Sequence, residues 1–406
     1  MTHHPKIRQV QSARARAAYI VAAIMAAAAI GGCSSGSATT STSTAQGIPA
    51  GPITLGETLP LSGPLAQVGG FEKLEVTDAV EVMNANGGIA GHQINLVTLD
   101  DKGDPATALA NSRTLISMKV AGIVNESLGS ASQLTEPYFM KVGVPTVLAE
   151  SNMGFLNVSQ YPTYFTPYAS AEQYAAAYVA YIKAHGLNDL GVIDDGTPVA
   201  DEYSQETVQL AQAAGLHVSA SITYSPTAVD LTPQMTQLKD SGAKVVVENG
   251  FSSPNNVFDA ISQIGWKPPV LGVGVSVAST ASTAFLGGNA LFPCNYYYTA
   301  ADGQPNALAE QLLAKVAKLL PPIEVSGVLG WYDILQTFKV GIQKADSTNY
   351  QAVADALESG IAVPSIWTGI TYRYTASNHE GFAAGAMKVC PATPLGTDGV
   401  GIVASS

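Results

Sequence analysis

The chain has 406 residues, which is enough for two domains of ordinary size, and 47% of them are hydrophobic. Its formal net charge is −12, and it becomes −16 without residues 1–32, because that segment holds four basic residues and no acidic one. An acidic surface of this kind repels nucleic acid and anionic membranes, so we exclude both as binding partners.

The N-terminus has the pattern of an export signal. Basic residues within residues 1–16 are followed by an apolar run at 17–30, which is 14 residues long and too short to span a bilayer. The run ends in Ile30-Gly31-Gly32-Cys33, which is similar to the lipobox of bacterial lipoproteins. We predict a lipoprotein signal peptide over 1–32 and lipidation of Cys33. An ordinary signal peptide with an incidental cysteine, or a membrane-spanning anchor, is the alternative.

A flexible tether follows the signal peptide. Residues 34–47 are almost entirely small and polar, with Ser, Thr and Gly predominating, and we predict a tether over 33–52. The remainder is then expected outside the cytoplasm, held on the cell membrane by the lipid alone. No later segment is long and apolar enough to cross a bilayer.

The first part of the body alternates short apolar strands with amphipathic helices. Val76, Val80 and Met83 share one helix face, and Asp104 is a suitable N-cap before Pro105. The patterns predict strands at 53–59, 94–100, 120–125 and 144–149, and helices at 70–86, 106–118 and 131–142. Such a series indicates a parallel sheet with helices on both faces.

A second, similar series begins at Ser170, which forms a capping-box pattern with Gln173. It predicts helices at 171–185, 200–214, 233–241 and 255–264, and strands at 189–194, 216–223, 243–248 and 269–273. Further helices are predicted at 307–320, 328–344 and 350–359, with strands around 369–374 and 383–389. The fold class is therefore α/β, with two similar lobes that are each a mostly parallel sheet flanked by helices.

Five segments together carry a family resemblance. They are 55–70 (LGETLPLSGPLAQVGG), 84–108 (NANGGIAGHQINLVTLDDKGDPATA), 143–149 (GVPTVLA), 229–250 (VDLTPQMTQLKDSGAKVVVENG) and 263–272 (QIGWKPPVLG). In order and spacing the chain resembles the periplasmic-binding-protein family of the leucine/isoleucine/valine type over about 53–390.

The resemblance implies the type I periplasmic-binding-protein fold, with a three-segment hinge between lobes that close on a ligand. Lobe 1 would hold 53–168 plus 300–370, and lobe 2 would hold 169–299 plus 371–406. It also implies capture of a small organic ligand, such as an amino acid, amide or carboxylate, and delivery to an ABC permease. We expect a monomer with no cofactor and no metal.

The two cysteines of the body, Cys294 and Cys390, would fall on neighbouring strands of lobe 2 by the same resemblance. In an oxidising compartment this makes a disulfide between them the expectation, with two buried free thiols as the alternative.

In lobe 1, the resemblance places ligand contacts on two loops. Ser127 and Ser130 lie in a serine-bearing loop that would hold a ligand carboxylate, although Ser130 with Gln133 also matches a capping box. After the next strand come Glu150, Ser151 and Asn152. The two polar side chains can bind a ligand, while Glu150 is either a partner for an amine or a solvated loop charge.

In lobe 2, Phe251 and Ser252 match a position that lines the cleft in the family. Gly274 falls where members that bind amino acids carry the acid that pairs with the α-ammonium, and no acid lies in 272–276. Similarly, Val199-Ala200 replaces a tyrosine-glycine pair, and Val68 replaces an aromatic residue. An unpaired ammonium is costly to desolvate. A standard amino-acid ligand is therefore doubtful unless Glu126, Glu150 or Glu248 supplies the charge.

The sequence also bears on two other classes of function. An enzyme lacks support, because no GxSxG, HExxH, CxxC or Walker motif is present and the six histidines are scattered. Asp100, Asp101 and Asp104 lack the spacing of a calcium loop and are better explained by turns and a helix cap. A ligand-sensing receptor subunit of the same fold, acting through a separate signalling partner, is the alternative to transport.

Overall fold

A computed structural model describes residues 47–125, 131–149, 157–277, 280–293, 307–316, 325–366, 370–383, 385–387 and 389–391. The predicted signal peptide, Cys33 and most of the tether lie outside these residues. Within them, no helix is long and apolar enough to cross a membrane.

The first lobe is built on a five-stranded parallel sheet in the order β2-β1-β3-β4-β5. Its strands are β1 (Ile53–Leu59), β2 (Ile94–Asp100), β3 (Ile123–Asn125), β4 (Thr146–Val147) and β5 (Tyr164–Phe165). Three helices connect them: α1 (Ala66–Ala85), α2 (Pro105–Ser117) and α3 (Ser132–Val142). The Asp104 carboxylate accepts the Thr107 N–H at 2.8 Å, which confirms it as the N-cap of α2.

The second lobe is built on a six-stranded sheet in the order β13-β10-β9-β8-β6-β7, parallel except for the β10–β13 pair. Its strands are β6 (Asp189–Asp194), β7 (His217–Thr223), β8 (Val245–Glu248), β9 (Val270–Leu271), β10 (Ala290–Pro293) and β13 (Val389–Pro391). Its helices are α4 (Ala171–Ala184), α5 (Pro198–Ala213), α6 (Thr232–Asp240), α7 (Pro254–Gln263), α8 (Val273–Val277) and α9 (Thr280–Thr283), with a 3-10 helix at Ala284–Asn289. Ser170 caps α4 as predicted, accepting the Gln173 N–H.

Three helices near the C-terminus belong with the first sheet. They are α10 (Ala307–Val316), α11 (Val325–Ala345) and α12 (Tyr350–Glu358), and both α10 and α11 pack against α1. The buried Trp331 of α11 donates its indole N–H to Glu75 of α1 at 2.8 Å, which satisfies both polar groups in the helix interface.

Two crossings between the lobes run side by side. The Thr166 N–H donates to the His379 carbonyl at 3.0 Å, and the Gly381 N–H donates to the Thr166 carbonyl at 2.8 Å. The Ser170 N–H adds a bond of 2.6 Å to the buried Glu380 carboxyl. The start of α4 is thereby tied to the segment that returns the chain to β13.

Two predicted strands need correction. The strand predicted at 269–273 ends at Leu271, because Gly272 turns the chain with a φ of 148° and α8 begins at Val273. The strand predicted at 383–389 is β13 at Val389–Pro391, because the small residues before it form a turn with Gly385 at a φ of 73°. The strand predicted around 369–374 is β12 (Thr371–Tyr372). It forms a short antiparallel pair with β11 (Val363–Pro364), which the sequence pattern does not predict.

Candidate functional site

The carboxyl ends of β6 and β8 bring acidic and amide side chains to one edge of the second sheet. Asp194 is the last residue of β6 and Asp195 follows it, while Glu248 is the last residue of β8 and Asn249 follows it. The two strands are paired in parallel. All four are buried. Ligands of open α/β sheets bind at this edge, so this is the part of lobe 2 where a site is expected.

Asp195 fixes the loop that carries Phe251 and Ser252. One carboxylate oxygen accepts the Phe251 N–H at 2.8 Å and the Ser252 N–H at 2.7 Å, and the other accepts the Thr197 hydroxyl at 2.7 Å. Burial disfavours the charge on Asp195, but these hydrogen bonds outweigh it and lower its pKa to about 2. The sequence reasoning missed Asp195, although an acid directly after a strand is the signal that indicates it.

Phe251 and Ser252 are exposed on this fixed loop. The Phe251 side chain is 40% exposed, although it is large and hydrophobic, and its ring meets Tyr203 of α5 edge-on at 6.1 Å. On the same helix, Val199 is 53% exposed. The loop and the first turns of α5 therefore present an apolar surface beside the buried acids.

Glu248 occupies the space next to Gly274. One carboxyl oxygen accepts the Gly250 N–H at 2.9 Å and lies 3.5 Å from the Tyr224 hydroxyl. The other oxygen is buried, with no hydrogen-bond partner in the described structure. A β-carbon at residue 274 would lie 1.2 Å from it, so Glu248 stands where a side chain of residue 274 would begin. Burial raises the Glu248 pKa well above its usual range.

The corresponding edge of lobe 1 is also polar. Asn125 at the end of β3 donates to Glu72 of α1 at 3.1 Å, and Glu57 of β1 accepts the Thr98 hydroxyl at 2.5 Å. Burial raises the Glu57 pKa to about 8. Exposed apolar side chains lie near the start of α1, where Leu65 is 39% and Val68 is 46% exposed.

Several predicted site residues lie outside the described part of the chain. These are Ser127, Ser130, Glu150, Ser151, Asn152 and Cys294, together with the side chain of Cys390. Helix α3, which follows the first of these loops, begins at Ser132 with Ala131 at its N-cap, one residue later than predicted. The structure therefore brings together Phe251, Ser252 and Gly274 of the predicted set, around Asp195 and Glu248.

The two strands that bear on the predicted disulfide are neighbours. β10 pairs with β13 in antiparallel register, with Phe292 opposite Cys390, and Cys294 directly follows the last residue of β10.

The aspartates at 100–104 have structural partners. Asp100 accepts the Ser62 hydroxyl at 2.7 Å and the Leu61 N–H at 3.0 Å, and Asp101 accepts the Thr58 hydroxyl at 3.0 Å. These bonds join the ends of β1 and β2. No group of three or more metal-binding side chains occurs among the described residues.

A groove of about 530 Å³ lies on lobe 2, between α5 and the edge strand β7. Its lining residues include Asp194, Asp201, Ser221 and Thr223, and Asp194 also belongs to the polar edge described above. It lies on the α5 side of the sheet and does not include Phe251, Ser252 or Glu248, so we do not regard it as the predicted site.

Two mostly parallel sheets, each with helices on its faces, define a two-lobed α/β fold, in which ligands bind beyond the carboxyl ends of the strands. The chain belongs to the periplasmic binding protein family, which matches residues 52–390. This confirms the family and the fold class inferred from the sequence.

Relatives of known name agree with this assignment. A Leu/Ile/Val-binding protein homolog 3 from Brucella melitensis is 25% identical over 332 residues, which cover 80% of this chain and 88% of the relative. A Leu/Ile/Val-binding protein homolog 7 from Brucella abortus is 30% identical over 251 residues, which cover 56% of this chain and 61% of the relative. Both relatives are named as homologues of a Leu/Ile/Val-binding protein.

Solved structures share the fold. A branched-chain amino acid ABC transporter protein from Thermus thermophilus with bound valine has a TM-score of 0.67 and 17% identity, covering 87% of this chain and 96% of its own. A solute-binding protein from Rhodopseudomonas palustris in complex with 4-hydroxybenzoate has a TM-score of 0.62 and 17% identity, covering 81% of this chain and 90% of its own.

Proposed function

We propose that this protein is an extracytoplasmic solute-binding lipoprotein that captures a small organic ligand between its lobes and delivers it to an ABC importer. The observation that carries the proposal is the loop of Phe251 and Ser252, which Asp195 holds rigidly at the carboxyl edge of the second sheet. A loop fixed in this way presents its exposed side chains without a large ordering cost on binding.

The ligand proposed is an amino acid, an amide or a carboxylate with an apolar body. Three exposed apolar residues lie close to the expected edges of the cleft: Val68 of lobe 1, and Val199 and Phe251 of lobe 2. The family relatives are named for leucine, isoleucine and valine, while one structural neighbour holds valine and another 4-hydroxybenzoate. We propose that Ser127 or Ser130 holds the ligand carboxylate from lobe 1, and that Ser151 and Asn152 add further hydrogen bonds to the ligand.

Lobe closure completes the proposed mechanism. Lobe 1 would hold 53–168 and 300–370, lobe 2 would hold 169–299 and 371–406, and the crossings at Thr166 and Glu380 would act as two hinge segments. The closed monomer would then bind the permease. The anchor at Cys33 would keep the protein near that permease and raise its effective concentration there.

Anchoring and the disulfide can be tested together. Mass spectrometry of the protein extracted from membranes should show a diacylated or triacylated N-terminal Cys33, and a peptide that joins Cys294 to Cys390 until reduction. An unmodified Cys33, or free thiols at both other cysteines before reduction, would contradict the respective proposal.

The binding function is tested by calorimetry on residues 34–406 with a panel of leucine, valine, their amides, 4-methylpentanoate and 4-hydroxybenzoate. We expect at least one to bind, and Phe251→Ala to weaken that binding about tenfold or more, since an aromatic contact is lost. Val229→Ala is the matched control, because Val229 is an exposed apolar residue elsewhere on lobe 2. No binding by any of these compounds, with a folded protein, would contradict the proposed ligand class.

A further inference from the structure

A row of four aromatic rings runs from α4 to the loop that follows β8. Tyr178 and Tyr174 of α4 have their ring centres 6.4 Å apart. Tyr174 meets Tyr203 of α5 at 5.1 Å, and Tyr203 meets Phe251 at 6.1 Å. All three pairs are edge-on, an arrangement that aromatic rings favour. The three tyrosines are buried, so the row leads from the interior of lobe 2 to an exposed ring at the candidate site.

Phe251 is fixed at its backbone, which leaves the orientation of its ring open. Asp195 accepts the backbone N–H groups of Phe251 and Ser252, and neither bond restricts rotation about the Cα–Cβ bond of Phe251. Within the described part of the chain, Tyr203 is the aromatic ring that meets it. A ring in water without a neighbour occupies several rotamers, and selecting one of them on binding costs conformational entropy.

Tyr203 is held at its own end by the start of α5. The Thr197 hydroxyl accepts the Ala200 N–H and so caps this helix, and it also donates to Asp195 at 2.7 Å. The Asp195 carboxylate therefore fixes the first turn of α5 and the backbone of the Phe251 loop together. The two elements that carry the rings of Tyr203 and Phe251 cannot shift independently at this point.

On its other side, Tyr203 rests against Tyr174 in the first turn of α4. That turn is bonded to the segment that returns the chain to β13, since the Gln173 side chain donates to the Phe382 carbonyl at 3.0 Å. The Ser170 N–H is bonded to the same segment at 2.6 Å. The support of the Tyr203 ring is thus itself fixed by hydrogen bonds.

The contact of Tyr203 with Phe251 does little to bury Phe251. Tyr203 is 7% exposed, whereas Phe251 is 40% exposed. The free energy gained by packing grows with the apolar area removed from water, so a pair that served the core alone would be buried on both sides. A ring that is oriented and still exposed is available for contact with a ligand.

We propose that Tyr203 is a positioning residue of the binding site, which holds the Phe251 ring in one orientation for contact with the apolar body of the ligand. The inference rests on the proposed binding function for the role of Phe251. Orienting the ring in advance lowers the ordering cost on binding, so Tyr203 should strengthen binding through Phe251 alone.

The orientation of the Phe251 ring can be measured without a ligand. Residues 34–406 are produced with 4-fluorophenylalanine, and the fluorine resonance of residue 251 is assigned by its loss in Phe251→Leu. We expect Tyr203→Leu to move this resonance toward that of a freely rotating, solvated ring, because the ring current of Tyr203 is lost. Tyr203→Phe keeps the ring and should leave the resonance in place. A resonance that is the same in Tyr203→Leu and in the unmodified protein would overturn the proposal.

Calorimetry with leucine and with 4-hydroxybenzoate tests whether Tyr203 acts through Phe251. For a compound that binds, Tyr203→Leu should weaken binding about fivefold, since an edge-on aromatic pair contributes about that factor. In the Phe251→Ala background the same substitution should weaken binding less than about twofold. A residue that only stabilises lobe 2 would have the same effect on binding in both backgrounds.

Tyr178→Leu is the matched control, because it makes the same change at a buried ring of the row that does not meet Phe251. It should lower the stability of the protein and leave both the fluorine resonance and the affinity unchanged. If Tyr203→Leu does not fold, Tyr203→Met replaces it in both measurements, since a flexible side chain fills an irregular space.

The outcomes separate the two proposals. Equal effects of Tyr203→Leu with and without the Phe251 ring would overturn the positioning role and leave the binding function standing. Absence of binding for every compound of the panel would contradict the proposed ligand class, and the role of Tyr203 in binding would fall with it. A fluorine resonance that still depends on Tyr203 would then show that the ligand class, and not the ring contact, is at fault.

Discussion

Asp195 is the residue whose removal should disturb the candidate site most directly. Its carboxylate accepts backbone N–H bonds from Phe251 and Ser252 and the hydroxyl of Thr197. In Asp195→Asn the side-chain NH₂ group replaces one carboxylate oxygen and must face a hydrogen-bond donor, either the Thr197 hydroxyl or the backbone N–H groups of the loop. The N–H groups of Phe251 and Ser252 also lose a charged acceptor. We expect the free energy of unfolding at pH 7 to fall by about 2–3 kcal/mol in urea titrations.

The control for Asp195→Asn is Asp240→Asn, at an exposed position on the end of α6. It makes the same change of charge and should alter the free energy of unfolding by less than about 0.5 kcal/mol. Equal effects of the two substitutions would mean that the loss of charge, and not the hydrogen bonds to the loop, determines the result.

Local sequence patterns correctly predicted the role of a single residue where its hydrogen-bond partner is only a few positions away. The N-caps Asp104 and Ser170 follow from residue type and spacing, and both make the expected side-chain bonds. From the sequence, Glu248 is only one of three acids that could supply a negative charge near Gly274. The closeness of Glu248 to Gly274 depends on how β8 and α8 lie side by side, which local patterns do not predict. Asp195 was missed for the same reason, since the loop residues that it holds, Phe251 and Ser252, are more than fifty residues further along the chain.

At the scale of elements, the first sheet and α11 meet at a position with no room for a side chain. A β-carbon at Gly122 would lie 2.1 Å from the buried ring of Phe338. We expect Gly122→Ala to lower the free energy of unfolding by about 1–3 kcal/mol, because the ring and α11 must shift to accept the methyl group. Urea titration at neutral pH measures the effect.

Gly70→Ala is the opposite case. Gly70 lies within α1 with nothing near the position of a β-carbon, so alanine should stabilise the protein by about 0.5–1 kcal/mol through its better helix propensity. If Gly122→Ala and Gly70→Ala both lowered the free energy of unfolding, glycine would be needed at these positions for a reason other than the close contact between Gly122 and Phe338.

The periodicity of long elements predicted most of the fold. The strands at 53–59, 94–100 and 189–194 have the predicted bounds, because each alternates or forms a buried run between clear turn signals. Short elements were the weak point. The apolar residues 270–275 suit a buried strand or a buried helix equally, and only the turn at Gly272 separates β9 from α8.

At the scale of the whole molecule, the repeat of strand and helix patterns was sufficient to indicate two lobes with parallel sheets. The crossings between them were not accessible in this way. The bonds of Thr166 and Ser170 with residues 379–381 join segments separated by more than two hundred positions. Nothing in the local sequence indicates that pairing, and only the family resemblance suggested a hinge of three segments.

Buried acids near these crossings should make the stability of the molecule depend on pH. Burial raises the pKa of Glu380 to about 7, and it raises that of Asp333 on α11 to about 7 as well. Because the folded form binds these protons more tightly than the unfolded form, the stability they contribute is present at low pH and is lost as pH rises through 7. The buried His379 has a lowered pKa and acts in the opposite direction, but only below about 6.5.

We therefore expect Glu380 and Asp333 to lower the free energy of unfolding as pH rises from about 5 to about 7, by up to about 1.4 kcal/mol per pH unit for each group, and to add almost no slope well above pH 7. Glu380→Gln keeps an acceptor for the Ser170 N–H and removes the titration, so urea titrations across this range should give a shallower slope for it. Glu310→Gln, which changes an exposed acid, should retain the slope of the unmodified protein. An equal slope for Glu380→Gln and for the unmodified protein from pH 5 to 7 would show that Glu380 is already ionised at pH 5, and that the crossing at Glu380 carries a permanent charge.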